Sequence, residues 1–104
     1  MSVPTQITFF EKLCPLVASG LKTITIRDES ENNYQPNSVV EVYTLETNLK
    51  VCEIRILSVE PLKFEQINEF HAKQEALPLG ELKTLIKDVY PSTNDLFMIK
   101  FELV

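Results

Sequence analysis

The chain has 104 residues, 44% of them hydrophobic and 24% charged, which suits one small domain with one core and is too short for two. Ten Lys and Arg against fifteen Asp and Glu leave a net charge of −5, which disfavours a function that depends on gripping a nucleic-acid backbone. No apolar run approaches the ~20 residues that a membrane span needs. The opening MSVPTQITFF carries neither a basic stretch nor a small-residue cleavage site, so no leader and a cytoplasmic location are expected.

Residues 6–10, QITFF, read as a short strand. Residues 10–20 follow with helical spacing that places Leu13, Leu16 and Val17 on one face. Pro15 disturbs that helix, because it lacks an N–H and clashes with the preceding turn. Gly20 stands where a helix C-cap belongs. Cys14 lies in the apolar run KLCPLVA, 38 positions before Cys52, and the expected state is a buried thiol, not a disulfide. One His and no CxxC pair make a zinc site improbable, and neither a metal nor a cofactor is expected.

The stretch GLKTITIRDES, residues 20–30, is the most informative. In residues 23–27, Thr23, Thr25 and Arg27 alternate with Ile24 and Ile26, as on a half-buried strand with one polar face. The same cluster admits chemistry. A Thr hydroxyl is a poor nucleophile until a neighbouring base takes its proton. Lys22 would serve as that base only if burial or a nearby cation such as Arg27 lowered its pKa by roughly 3 units from about 10.4. Positions three apart point to opposite faces of a regular strand. Lys22 and Thr25 therefore converge only if Lys22 lies in the turn before the strand, which Gly20 would permit, or if its long stem curls over the strand's edge.

Residues 28–37 are polar, end in a Pro-Asn turn signal and read as a loop; Tyr34 within it would either stack on a pyrimidine or only cap the core. Residues 38–46 and 50–60 read as a hairpin, with Cys52, Ile54 and Ile56 alternating against Glu53 and Arg55 and Pro61 ending the second strand. Residues 63–75 read as a helix with Phe64, Ile67 and Phe70 or His71 on its apolar stripe. Residues 79–90 read as another, with Leu82, Leu85, Ile86 and Val89. Residues 96–104 alternate Phe97, Ile99, Phe101 and Leu103 against Met98, Lys100 and Glu102, a closing strand. The order β-α-β-β-β-α-α-β suggests one α+β domain over 1–104, built on a small, partly closed β-barrel with flanking helices.

Gly20, Lys22 and Arg27 reproduce the G-x-K-x-x-x-x-R pattern of ASCH domains, small β-barrels related to PUA RNA-binding modules. With ITFF, GLKTITIRDES, HAKQE, LGELKTLIKDVYP and the final FMIKFEL, nearly the whole chain resembles the bacterial N(4)-acetylcytidine amidohydrolases. The resemblance implies a PUA-like fold and removal of the acetyl group from a small nucleoside, giving cytidine and acetate. It implies Lys22 as proton acceptor, Thr25 as nucleophile and Glu75, the last residue of HAKQE, as proton donor. Arg27 would meet the substrate, and either it or a backbone N–H near Gly20 would stabilise the oxyanion. By residue type alone, Glu75 would be solvated surface, Arg27 the partner of a nearby acid and His71 a structural histidine. The competing reading is a non-catalytic RNA-binding PUA-like module, against which the charge of −5 weighs.

Overall fold

The computed structural model describes residues 4–104; residues 1–3, where the segment read as lacking a leader begins, lie outside them. The strands are β1 (Gln6–Phe9), β2 (Ile24–Arg27), β3 (Val39–Thr44), β4 (Lys50–Lys63) and β5 (Asp95–Leu103), and the helices α1 (Cys14–Ala18), α2 (Glu69–Glu75) and α3 (Leu79–Val89). One sheet holds all five strands in the order β1-β3-β4-β5-β2. Its pairs are antiparallel except for β1 and β3, which run parallel.

β1 pairs with β3 and β2 with β5, and no ladder joins β1 to β2 among the described residues. The Arg27 side chain nevertheless reaches from β2 to donate to the Thr8 carbonyl of β1, at 2.8 Å. The sheet is thus an open barrel whose two edges face one another across a gap. The side chains in that gap form the site described below.

The expected stop at Pro61 does not occur, because β4 continues through Pro61 to Lys63. β3 flanks β4 only up to Arg55, whereas β5 pairs with it as far as Lys63. Pro61 therefore lies where β4 is an edge, the place in a sheet where a missing N–H is tolerated. A register slip between Ile56 and Ser58 makes Leu57 an extra residue, and such a bulge exchanges the two faces of the strand beyond it. Before the bulge, Ile54 and Ile56 enter the inner core with Ile7, Phe9, Val42 and Phe101. After it, Val59 packs on that core, while Leu62 joins Ile26, Ile67, Leu82 and Leu96 in a second cluster beneath α2 and α3.

The helix expected over 63–75 is shorter for the same reason. Lys63 still belongs to β4, Phe64–Gln66 form a 3₁₀ turn, and Asn68 starts α2 by accepting the Phe70 N–H at 2.8 Å. Such an N-cap satisfies an amide the helix leaves free and outweighs the apolar spacing upstream. Ile67 and His71 are buried, but Phe70 is exposed. Residues 10–20 divide similarly: a 3₁₀ turn at Glu11–Leu13 hands over to α1, with Pro15 in the first turn, where its missing N–H costs little. Cys14 is buried and Cys52 half-buried, both as free thiols.

The wet polar face expected for residues 23–27 is absent. Thr25 pairs with Ile99 and Ile26 with Met98, and directly paired residues share a face. Thr25 therefore faces the inner core side with Ile99, while Ile26 packs under the helices. Both faces of β2 are covered, and Thr25 is only 5% exposed.

Candidate active site

The turn between α1 and β2 places the first candidate side chain, Lys22. Gly20 has φ of +81°, a conformation L side chains rarely adopt. Its N–H donates to Val17 O at 3.1 Å and the Lys22 N–H to Leu16 O at 3.0 Å, closing the end of α1. The Thr23 N–H donates to Gln74 O at 2.8 Å, and its hydroxyl to Gln74 Oε1, docking the turn on the end of α2. β2 begins only at Ile24, so Lys22 precedes the strand and escapes its alternation. That removes the objection raised by the three-residue spacing. It also occupies the Gly20 and Lys22 amides, so these two are not the free oxyanion donors expected near Gly20.

A Cβ at Gly20 would meet nothing within 4 Å, so Gly20→Ala would cost only the backbone strain of a positive φ, about 1–2 kcal/mol. The expected result is a melting temperature lower by roughly 4–8 °C per kcal/mol. An unchanged melting curve would mean that the turn relaxes elsewhere.

Glu75 comes from the other side. α2 ends immediately after it, because Ala76 is left-handed (φ 58°) and the Ala76 and Leu77 N–H groups return to Lys73 O and Ala72 O, the usual pattern of a helix C-terminus. Glu75 is buried, not the solvated residue its type suggests. Its Oε1 forms an ion pair with Lys22 Nζ, with the two side chains 5% and 3% exposed, and makes no further hydrogen bond among the described residues. Burial, and then the charge of Arg27, lower the pKa of Lys22 to about 7, as desolvation and a like charge both penalise an ammonium.

The Thr25 hydroxyl oxygen accepts a hydrogen bond from Arg27 Nε at 2.9 Å. The same guanidinium donates through Nη1 to Glu31 Oε1 and through Nη2 to Thr8 O, both at 2.8 Å, and lies 4.9 Å from the centre of the Phe9 ring. Tyr90 at the end of α3 donates its hydroxyl to Glu31 Oε2 at 3.2 Å. Burial and the Glu31 charge push Tyr90 up to about 12, which keeps that donor protonated at neutral pH.

Lys22, Thr25, Arg27 and Glu75 all line one cavity of about 200 Å³, closed by Phe9, Phe10, Leu45 and the Leu82, Leu85, Ile86 and Val89 side of α3. This is below the roughly 300–1,000 Å³ of sites that take drug-sized ligands. Two lining residues, Glu31 and Tyr90, were not singled out from sequence. The readable signal was an acid four residues after Arg27, hidden because residues 28–37 read as loop and not as the 3₁₀ turn at Glu29–Glu31, which the Asp28 side chain caps.

The stacking reading of Tyr34 falls away, and His71 is structural, as its residue type implies. Tyr34 is buried in the inner core, with its hydroxyl donating to Gln6 O at 2.8 Å, so it is not free to stack on a base. His71 accepts the Asn68 N–H on Nδ1 at 3.1 Å as part of the α2 cap, and does not line the cavity. Among the described residues, no three His, Cys, Asp or Glu side chains are grouped to hold a metal ion. Among the described residues, no helix is long and apolar enough to cross a membrane.

A family model described as the ASCH domain matches residues 5–104. A Vibrio cholerae protein named N(4)-acetylcytidine amidohydrolase is 66% identical over 103 residues, spanning 99% of this chain and 90% of its own. A Vibrio parahaemolyticus protein of the same name is 64% identical, spanning 99% and 96%. The solved ASCH domain of Lactobacillus crispatus superposes with a TM-score of 0.76 over 95% of this chain and 79% of its own; at 15% identity this likeness concerns the fold alone.

Proposed function

This chain belongs to the ASCH domain family, and we propose that it is an amidohydrolase converting N(4)-acetylcytidine and water to cytidine and acetate in the cytoplasm, as one domain over 1–104. The carrying observation is the meeting, in one small cavity, of a buried Lys22–Glu75 pair and the Thr25 hydroxyl. A neutral nucleoside needs no basic surface, which agrees with the net charge of −5.

Thr25 Oγ attacks the acetyl carbonyl carbon while the Lys22 amine takes its proton. Arg27 has five N–H donors, three of them engaged with Thr25, Glu31 and Thr8, and the remainder are available to the oxyanion. On collapse the C–N bond breaks, Glu75 delivers a proton to the departing exocyclic amine, and cytidine leaves an acetyl ester on Thr25. Water attacks the ester carbonyl and gives a proton to the Lys22 amine; the acyl C–Oγ bond breaks, Lys22 returns that proton to Thr25 Oγ, and the acid departs as acetate. The pair suits this use because amine plus carboxylic acid holds the same number of protons as ammonium plus carboxylate. Burial lowers Lys22 toward the neutral amine, and the proton it takes from Thr25 passes through the pair to Glu75 for delivery to the leaving amine.

Two experiments test this reading. Purified protein should release acetate from N(4)-acetylcytidine, and inert protein would refute it. The pH profile of kcat/KM should rise as pH increases through about 7, the range into which Lys22 is lowered, because only the neutral amine accepts a proton. Glu75→Gln removes the counter-charge and should move the residual activity's rising limb to lower pH. A limb that stays in place would show that the two groups do not titrate together.

A further inference from the structure

We propose that Glu31, anchored by Tyr90, is a positioning residue that locks Arg27 with its Nε–H on the Thr25 hydroxyl, leaving the nucleophile's own proton for Lys22. The proposal rests on the catalytic reading of Thr25 and adds a group outside the Lys-Thr-Glu set. A guanidinium is a rigid planar fork, so fixing two of its corners fixes the third. Thr8 O holds Nη2 and Glu31 Oε1 holds Nη1, both at 2.8 Å, which aims Nε at Thr25 Oγ1 at 2.9 Å.

Of these partners only Glu31 carries charge, and only Glu31 needs support. Its side chain is 32% exposed and leaves a one-turn 3₁₀ segment, so alone it would lose considerable rotamer freedom in holding Arg27. The Tyr90 hydroxyl on its second oxygen, at 3.2 Å, supplies the missing anchor from α3.

The effect on Thr25 follows from counting. A hydroxyl has one proton and two lone pairs. With one lone pair filled by Arg27 Nε–H, the hydroxyl is no longer a free rotor. Its proton is directed away from Arg27, and the other lone pair is left for the acyl carbon. Glu31 is argued to act on the reaction through Arg27, so its loss should appear mainly in kcat.

Arg27 and Arg55 are the chain's two arginines, and the Arg55 side chain is 44% exposed, with a 3.4 Å contact from Nη1 to Glu102. ¹⁵N-labelled wild-type protein should therefore show one slowly exchanging arginine Nε–H, that of Arg27. Glu31→Ala should lose the slow exchange and lower kcat by about 10²-fold, as misplacement of a catalytic group does, with KM within about threefold. Glu31→Gln keeps an oxygen for Nη1 and should recover most of kcat and the protected signal, and Tyr90→Phe should lower kcat several-fold. Retention of the slow Nε–H in Glu31→Ala, a loss confined to KM, or Gln behaving like Ala would overturn the proposal. If wild-type protein fails to hydrolyse N(4)-acetylcytidine, the substrate reading falls, and the exchange measurement still decides whether Glu31 orders Arg27.

Discussion

Thr25→Ala is expected to lower kcat for N(4)-acetylcytidine by about 10³-fold or more, with Thr25→Ser staying within about tenfold of wild type. The alanine variant removes the one hydroxyl that Arg27 Nε fixes in the cavity; the serine variant keeps it and loses only the methyl group. Stability should fall in Thr25→Ala by about 1–3 kcal/mol, the cost of leaving a buried donor unsatisfied. That loss is small enough for the folded enzyme to be assayed. Covalent catalysis makes a second demand: hydroxylamine added during wild-type turnover should divert the acetyl group to the hydroxamate, because the ester on Thr25 is an interceptable intermediate. Turnover by Thr25→Ala near the wild-type rate would place the attack on a water activated by Lys22 and end the nucleophile assignment.

Periodicity located the sheet and helices well because each carries a one-sided apolar pattern, and the order read from the sequence is the order observed. It failed where the decisive interaction was not periodic. Pro61 ended a strand on paper because nothing in its neighbours reveals that β3 stops flanking β4 at Arg55. Asn68, one residue, outweighed five upstream positions in setting the start of α2. The Thr-Ile alternation of β2 suggested a solvated face, yet both faces are covered, since which face meets water depends on how far the sheet curls. Lys22, Thr25 and Arg27 stood out because polar residues were dense in a short apolar segment. Glu75 came only through resemblance, for its burial depends on contacts with a segment over fifty positions away. Glu31 and Tyr90 stayed hidden because their roles exist only once the two edges of the barrel face each other.

The buried pair should prove costly to break and dispensable to the fold. Lys22→Met strands the Glu75 carboxylate in a site 4% exposed, and a loss of about 3–5 kcal/mol is expected from an uncompensated buried charge. Glu75→Gln should cost less, because Lys22, already lowered to about 7, can shed its proton and remain as a neutral hydrogen-bonding amine. The double variant Lys22→Met/Glu75→Leu replaces both charges with apolar groups of similar volume and should regain most of the wild-type stability. Its activity should nevertheless be lost, along with that of Lys22→Met, by about 10³-fold or more. The sign of the pH effect is determined by the direction of the Lys22 shift. Between pH 7 and 10.5 the unfolded chain binds the lysine proton and the fold does not, so wild-type stability should climb across that window relative to Lys22→Met. Urea unfolding at several pH values, beside acetate release, measures both halves. A double variant less stable than either single variant would show that the pair supports the fold. A double variant that still turns over would remove Lys22 and Glu75 from the chemistry altogether.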